Sequence, residues 1–548
     1  MSAPSSSGSL ERGRACLRCR YVDSARCDGG QPACGQCMRA NKIDECEYTF
    51  GAGLTATQLL EQEVVRLESC IAELQNRSFV ITLRNPYEQG ESGSVPTQTP
   101  LSPNQLIVDF SLELPANMTE VVLNSFLEHA SQVGFFLNIQ RLLNLINSGP
   151  ASRERAHPRI PSVLLNAIYL LGLDFRRDAH LEPFRLRLLS YTLQQLPSAV
   201  SNARSLTMSY VLQAEILLSY YFFDHNRGLE GAYHSNAAIA MVLAWKLHLI
   251  RSPQNTITAS VALGQANLLP PSDKVEEGER INAFWAVFVL DKCWSVALGV
   301  PSGFADDGST GTQIDTPWPM TNYAALPANF QSMRTVQTFM QNIPARLGSE
   351  QSIHAAQAKA SLLFERAARL ASQWELNNTS IQASLLFLDN CIERFKATLP
   401  AMDGIYSARP DIIRNLLMVH TLAHCATIQL HTPAAQASVA SSDITLTAAE
   451  AAIRALQGVN TDAIEFITPI MPVLWTMVAQ VISRRIVRSR GSDRASPSAV
   501  PGPAVPGPDQ ASLLASFDRI LVAMQRWSNT SPLMKHQQTV LHQARARV

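Results

Sequence analysis

The sequence predicts a mostly α-helical protein with a small cysteine-rich module at its N-terminus, a short coiled-coil helix and a large all-α domain. Three observations predict this class. Six of the ten cysteines lie between Cys16 and Cys46, and an apolar heptad pattern follows them. Residues 118–490 then show helical periodicity, without an alternating strand pattern or a fixed internal repeat.

Length and composition indicate several well-packed units. Of the 548 residues, 46% are hydrophobic and 16% are charged, and the 45 basic residues balance the 45 acidic ones. A basic field over the whole molecule is thereby excluded, so any contact with nucleic acid must be local. The N-terminus lacks an apolar signal segment, and apolar stretches such as 160–175 are shorter than the roughly 20 residues of a membrane span. We therefore expect a soluble, intracellular protein in a reducing compartment, without membrane contact.

The clustered cysteines have the spacing of a structural zinc site, Cys16-x2-Cys19-x7-Cys27-x6-Cys34-x2-Cys37-x8-Cys46. Each Cys-x2-Cys step offers two thiolates from one tight turn. Six thiolates complete two tetrahedral sites when two of them bridge, and the repeated half-pattern favours two zinc ions per chain. A module of about thirty residues has almost no apolar core, so metal binding must supply its folding energy. A knot of three disulfides is the alternative interpretation.

The segments ACLRC, CDGGQPACGQC and CEY resemble the DNA-binding module of fungal zinc binuclear cluster (Zn(2)-C6) transcription factors. The resemblance implies that Cys16 and Cys34 bridge the two ions, with Cys19 and Cys27 completing one site. Cys37 and Cys46 would complete the other site. The resemblance further implies a non-enzymatic, nuclear, sequence-specific transcription factor that binds double-stranded DNA and regulates RNA polymerase II genes.

One departure from the family pattern concerns DNA recognition. Between Cys19 and Cys27 the family has six residues with several lysines or arginines on a helix that enters the major groove, whereas this chain has seven, RYVDSAR. Asp23 stands where a basic residue is expected, and few phosphate-binding groups are available. The candidate DNA-contacting residues are Arg12, Arg14, Arg18, Arg20, Arg26, Arg39 and Lys42. Either the module binds DNA weakly, or the protein is a zinc-folded nuclear coregulator that has lost direct readout.

The apolar heptads predict a dimerisation helix after the module. The a and d positions are Leu60, Val64, Leu67, Ile71 and Leu74. β-Branched residues at a with leucines at d favour a parallel two-stranded coiled coil. In a parallel homodimer, however, Glu63 would face Glu68, so we expect a weak homodimer or a heterodimer with a basic-flanked partner. A lone amphipathic helix docked on the large domain is the alternative.

Composition divides the rest of the chain into linkers and helical segments. Two stretches rich in Pro, Gly and Ser lack the apolar residues needed for order. The predicted organisation is a disordered arm (1–13), the zinc module (14–48), the coiled-coil helix (54–77), a linker (84–117), the all-α domain (118–490), a disordered linker (491–510) and C-terminal helices (511–548).

The large domain resembles the fungal-specific regulatory (middle homology) domain of the same factors in the segments Ala232–Arg251, Phe284–Phe304 and Ile314–Met320. The stretch Trp245-Lys246-Leu247-His248 lacks the glycine usual in that family. The resemblance implies structural roles for Arg280 and Asp291 as a buried pair, and coregulator proteins or a small-molecule effector as partners. Gly299 and Pro301 should end a helix.

Catalytic motifs are absent from the large domain. The histidines are dispersed, and no HExxH, Gly-x-Ser-x-Gly or phosphate-binding glycine loop is present. His225, between Asp224 and Arg227, is the closest approach to a polar cluster, and we interpret it as an ordinary surface loop. The sequence therefore predicts no enzyme activity.

Overall fold

The computed structural model describes residues 15–21, 27–50, 54–55, 116–147, 160–203, 207–253, 268–306, 312–323, 326–343, 352–374, 379–402, 409–436, 438–494 and 508–547. The chain divides into two units, residues 1–108 and 109–548. Regular structure in the described residues is almost entirely helical, which confirms the predicted fold class.

The described part of the first unit is small, and its buried side chains are mainly cysteines. It contains two short helices, α1 (Leu17–Tyr21) and α2 (Gly35–Arg39), and a minimal antiparallel pair, β1 (Thr49–Phe50) and β2 (Leu54–Thr55). Its buried cluster consists of four cysteines and one alanine, with Cys19, Cys27 and Tyr48 packed around them. An apolar core in the usual sense is not found in these residues.

The described part of the second unit is an all-α assembly. Its helices are α3 (Ala116–His129), α4 (Ile139–Asn147), α5 (Ser162–Arg176), α6 (Glu182–Ser201), α7 (Met208–Asp224), α8 (Gly228–Ala244), α9 (Lys274–Leu298), α10 (Thr335–Gln341), α11 (Ile353–Ala371), α12 (Thr379–Thr398), α13 (Pro410–His431), α14 (Val439–Gln457), α15 (Met471–Arg494), α16 (Pro508–Ser528) and α17 (Pro532–Arg547). The most extensive packing joins α11 to α13, α13 to α14, α7 to α8 and α9 to α11.

Helix α7 is buried on all sides. Every residue from Val211 to Asp224 is buried, as expected for a segment that is apolar around its whole circumference. The polar groups on it are paired inside the core. The Glu215 carboxylate lies 2.7 Å from Nδ1 of His234 on α8, and the Ser219 hydroxyl donates to the Gly231 carbonyl at 2.8 Å. Helix α7 is therefore a fully buried core helix of this unit.

Helix α9 is a core helix with well-defined ends. The Asp273 side chain accepts a hydrogen bond from the Glu276 backbone N–H at 2.8 Å, and the helix ends at Gly299, whose φ of +67° is left-handed. By length and apolarity alone α9 could cross a membrane, yet 72% of its most apolar window is buried in the protein. It also carries the buried ionisable residues Asp291 and Lys292, which fits a core helix.

Arg280 and Asp291 are both buried on α9, but they do not form the predicted pair. Eleven residues separate them along one helix, a rise of about 16 Å that their side chains cannot span. Arg280 binds Glu276 at 2.5 Å instead. The Asp291 carboxylate accepts from the Gly303 backbone N–H at 2.9 Å and from the Ser302 hydroxyl, and so fixes the loop after α9.

Lys246 occupies the position where the resembling family has a glycine. Its φ of 54° places it in the left-handed region, directly after α8. A side chain is strained in this conformation, which explains the usual preference for glycine there. Lys246 is thus a non-glycine residue in a backbone conformation that favours glycine.

The helix ends adjoin the predicted linkers. Helix α3 begins at Ala116, α15 continues to Arg494 and α16 begins at Pro508, so helical structure extends a few residues into both predicted linker ranges. Helices α16 and α17 pack on each other and on α15, and they bury Trp527 and Met534. The predicted dimerisation residues, 60–74, lie outside the described residues.

Candidate metal centre

The two Cys-x2-Cys steps share one local structure. Cys16 directly precedes α1, which carries Cys19, and Cys34 caps α2, which carries Cys37. The Cys34 sulfur accepts from the Cys37 backbone N–H at 3.4 Å. A side chain at a helix N-cap can meet one three residues later, so this spacing brings two sulfurs of each step to one side.

The six sulfurs form two groups of four that share two members. Within each group all sulfurs lie within 4.8 Å of one another. One group is Cys16, Cys19, Cys27 and Cys34, and the other is Cys16, Cys34, Cys37 and Cys46. Cys16 and Cys34 belong to both. This is the sharing that the family resemblance implies for the two bridging ligands.

The sulfur separations suit a tetrahedral metal. The Sγ atom of Cys16 lies 3.9 Å from that of Cys34 and 3.8 Å from that of Cys37, and the sulfurs of Cys19 and Cys34 are 3.7 Å apart. Four sulfurs at about 2.3 Å from a central zinc would lie about 3.8 Å from one another. The donor set and its spacing therefore fit zinc.

The thiols need a cation to be ionised together. Without metal, burial raises the pKa of Cys16 and raises that of Cys37 to about 12. Burial also opposes ionisation of Cys34 and Cys46, yet N–H groups lower the pKa of both, those of Cys37 and Cys34 respectively. The N–H of Cys34 lies 3.2 Å from the Cys46 sulfur. Backbone dipoles thus favour some thiolates, and metal would have to stabilise the rest.

Asp28 supports the loop that leads to α2. Its carboxylate oxygens each lie 3.0 Å from the backbone nitrogen of Gly35, and one also accepts from Gly30 at 3.3 Å. The Gly35 N–H holds the pKa of Asp28 below its usual value. A Cβ at Gly35 would lie 2.5 Å from the Asp28 carboxylate, so only glycine fits this contact.

A second support joins the two ends of the module. The Tyr48 hydroxyl donates to the Gly30 carbonyl at 2.9 Å and lies 3.9 Å from the Cys27 sulfur. The Leu17 backbone N–H donates to the Glu47 carbonyl at 2.7 Å. Asp28 and Tyr48 were not identified from the sequence, although Asp28 directly follows a ligand-type cysteine and Tyr48 lies two residues after another.

The described basic residues of the module are partly engaged with acidic ones. Glu45 lies 3.2 Å from the Arg18 guanidinium and 2.6 Å from the Lys42 ammonium. Arg39 is exposed and donates to the Gly35 carbonyl at 3.2 Å, and Arg20 is exposed on α1. Because the Glu45 carboxylate lies against two of the predicted phosphate-binding residues, it reduces the positive potential at both of them. Arg12, Arg14 and Arg26 lie outside the described residues.

The polar cluster around His225 is not a surface loop, which corrects the sequence interpretation. Asp224 is buried, and the Arg185 guanidinium from α6 lies 2.9 Å from Asp174 and 2.8 Å from His225 Nε2. Asp174, Asp224 and His225 could by position hold a metal, but Arg185 already forms an ion pair with Asp174. The cluster is therefore an ion-pair network between helices, and only tertiary packing brings its members together.

The scattered cysteines of the helical unit have a structural environment. Cys293, Cys391 and Cys425 are each at most 2% exposed among apolar side chains. Burial raises the pKa of Cys391, and that of Cys293 and Cys425 as well. They are small residues of the apolar core, and Cys70 lies outside the described residues.

Comparison with known proteins concerns the helical unit. The family model of the fungal specific transcription factor domain matches residues 123–386. A notoamide biosynthesis cluster transcriptional coactivator from Aspergillus versicolor is 27% identical over 305 residues, which is 53% of this chain and 54% of that protein. The chain thus spans about half the length of this curated relative. No solved structure matches the chain.

The family match begins after the cysteine module, so the assignment of that module rests on its own residues. Domain and relative both point to a regulatory protein and not to an enzyme. The two comparisons therefore support a fungal transcription factor regulatory domain within the helical unit.

Proposed function

We propose that the protein is a zinc-dependent, sequence-specific DNA-binding transcription factor that regulates RNA polymerase II genes in the nucleus of a fungus. The observation that carries the proposal is the sharing of Cys16 and Cys34 between two groups of four sulfurs. Cys19 and Cys27 would complete one zinc site, and Cys37 and Cys46 the other. Bound zinc would supply the folding energy that the small module lacks.

Each part of the chain has a role in this proposal. The zinc-folded module presents Arg20, Arg39 and neighbouring basic residues to phosphates. Residues 60–74 join two chains, as a weak homodimer or a heterodimer, and so set the spacing of the half-sites. The helical unit regulates activity, through coregulator proteins or a small effector. The regulatory-domain match supports this last role.

The direct test uses the full-length protein. Native mass spectrometry counts the zinc ions, and selection from a random duplex library over a salt series measures recognition. The proposal predicts two zinc ions, one selected motif and an affinity that falls steeply with salt. If the protein binds two zinc ions but selects no motif at low salt, the proposed sequence-specific DNA binding is wrong. The proposed zinc sites would be unaffected by that result.

A second candidate function is a zinc-folded coregulator that binds other regulators and does not read DNA. Two observations favour it. Glu45 engages both Arg18 and Lys42, which leaves fewer groups for phosphates. The Aspergillus versicolor relative is itself named a transcriptional coactivator.

Two variants separate the candidates, Glu45→Gln and the double substitution Val22→Lys with Asp23→Lys. Glu45→Gln releases Arg18 and Lys42, so a module that docks on DNA should bind duplexes severalfold more tightly, with a salt slope steeper by up to about 2. The double substitution Val22→Lys with Asp23→Lys should raise the affinity for DNA further, because it restores the basic character of the recognition segment. Asp44→Asn makes the same change in charge on an exposed neighbour and serves as the control. A coregulator would show no gain in motif selection with either substitution.

A further inference from the structure

A cavity of about 420 Å³ lies inside the helical unit. The chain after α3 forms one side of it, and α9, α11 and α13 contribute most of the other lining residues. Its volume is within the range of sites for drug-sized molecules, roughly 300–1,000 Å³. None of the lining residues is Asp, Glu, Lys or Arg.

Three buried carboxamides meet at this cavity from segments distant in sequence. Gln132, Gln357 and Asn415 are 3%, 7% and 2% exposed. The Asn415 oxygen accepts from Gln132 Nε2 at 2.6 Å and from Gln357 Nε2 at 3.0 Å. The Asn415 oxygen is therefore fully used as an acceptor.

The carboxamide cluster leaves one acceptor over. Oε1 of Gln132 is buried and has no hydrogen-bond partner among the described residues. A buried amide oxygen without a donor is unfavourable, and native proteins usually satisfy such groups. Gln132 is one of the residues that line the cavity, so a guest molecule with an N–H or O–H group is a candidate for the missing donor.

Apolar side chains form the larger part of the lining, beside uncharged polar ones such as Asn282 and a histidine, His354, whose pKa burial lowers. Trp285 and Val289 on α9, Phe136 after α3 and Met418 on α13 line the cavity, and each is at most 9% exposed. A carboxylate or ammonium group would lose its hydration here without gaining an opposite charge. The lining therefore selects for an uncharged, largely apolar guest.

We propose that this cavity binds a neutral small molecule that carries an amide, lactam or comparable donor group. Its donor satisfies Gln132 Oε1, and its apolar body packs between Trp285 and Met418. The proposal rests on the proposed regulatory function only for its biological consequence, because the guest would stabilise one arrangement of α9, α11 and α13. Binding itself is measured without DNA.

The test uses full-length protein with three probes, 2-naphthamide, the lactam isoquinolin-1-one and the charged 2-naphthoate. Saturation-transfer NMR gives the dissociation constants. We expect at least one neutral probe to bind saturably at millimolar concentration or below. The 2-naphthoate anion should bind at least tenfold more weakly than 2-naphthamide.

Filling the cavity should abolish this binding. Ala286 is half-buried on α9 and lines the cavity, so Ala286→Trp places an indole in it. Ala240→Trp, on an exposed position of α8, is the matched control and should bind as the unaltered protein does. If Ala286→Trp does not fold, Met418→Trp serves in its place, because it puts an indole into the cavity from α13.

The amide contact has its own variant. Gln132→Met removes the unpartnered oxygen and keeps a side chain of similar volume. It should therefore weaken the binding of 2-naphthamide at least threefold. Three results would overturn the proposal: no saturable neutral probe, equal binding of naphthoate and naphthamide, or unchanged binding after the cavity is filled. Failure of DNA selection would leave these measurements unaffected, so the two proposals can fail separately.

Discussion

The cysteine module and the helical unit are stabilised in opposite ways. In the described module the buried cluster is Cys16, Cys34, Cys37 and Cys46 with Ala33, so it consists almost wholly of sulfur. The helical unit has a continuous apolar core that includes Trp285, Phe288 and Phe364, each of which is at most 1% exposed.

The difference follows from size. A short segment exposes most of its surface even when folded, so burial of apolar groups cannot offset the loss of chain entropy. A chain of several hundred residues encloses enough apolar surface to fold without help. In the proposed function the module therefore folds around zinc, whereas the helical unit has an apolar core of its own.

Removal of metal should produce the largest difference between the cysteine module and the helical unit. A strong zinc chelator should unfold the module completely and leave the helical unit folded, because the proposed zinc sites lie in the module and the helical unit has an apolar core. Site-resolved alkylation with mass spectrometry measures both regions at once. The six module cysteines should become reactive within minutes.

Cys293, Cys391 and Cys425 are the internal controls, since they are buried in the helical core. They should stay protected until the helical unit itself is unfolded. Alkylation of Cys425 after chelation alone would show that the helical unit also depends on metal.

The complementary change is made in the apolar core. Phe364 on α11 is fully buried, so Phe364→Ala should lower the free energy of unfolding of the helical unit by about 3–5 kcal/mol. Denaturant unfolding followed by circular dichroism measures this loss, and the number of bound zinc ions should not change. Leu386→Ala, at a side chain that is 72% exposed, should cost less than about 0.5 kcal/mol. Similar losses for both variants would contradict the assignment of the core.

The supports around the sulfurs should have an intermediate effect. Asp28→Asn replaces the carboxylate that accepts from Gly35 and Gly30, so the loop before Cys34 is held less firmly. Outer partners of metal ligands typically change metal affinity by about 10- to 100-fold. A competition titration with a chromophoric chelator should show at least about a tenfold loss of zinc affinity. Asp44→Asn on the same module should leave the affinity as it is.

The smallest expected effect is a pH dependence of the helical unit. Burial, together with the nearby Asp174 carboxylate, raises the pKa of Asp224 to about 7. Between about pH 4 and pH 7 the folded state keeps this proton while the unfolded state has lost it, so stability falls as the pH rises. Relative to Asp224→Asn, the unaltered protein should lose about 1 kcal/mol of unfolding free energy for each unit by which the pH rises. The upper limit for one proton is about 1.4 kcal/mol per pH unit.

Urea unfolding at pH 5, 6 and 7 measures this difference between the two proteins. Asn can still accept from the Ser531 hydroxyl, which lies 2.7 Å from the Asp224 carboxylate. Asp178→Asn removes an exposed carboxylate from the same unit and serves as the control. Parallel pH profiles for the Asp224 variant and the unaltered protein would contradict the buried proton.

Much of the architecture was accessible from local patterns. The mostly helical class follows from apolar periodicity, and α9 ends at Gly299 as Gly and Pro predict. The cysteine spacing alone indicated that two sulfurs should be shared. These features depend on residues close in sequence, or on a ligand pattern in which spacing and chemistry leave few alternatives.

The sequence by itself therefore determined the helical class and the six sulfur positions. Only the tertiary structure decided the contacts between distant residues. Glu45 meets Arg18 across 27 positions, Arg185 meets His225 from another helix, and Gln132 meets Asn415 across 283. Periodicity states which face of a helix is buried, but the partner of a buried polar group depends on how whole helices pack, which no local pattern encodes.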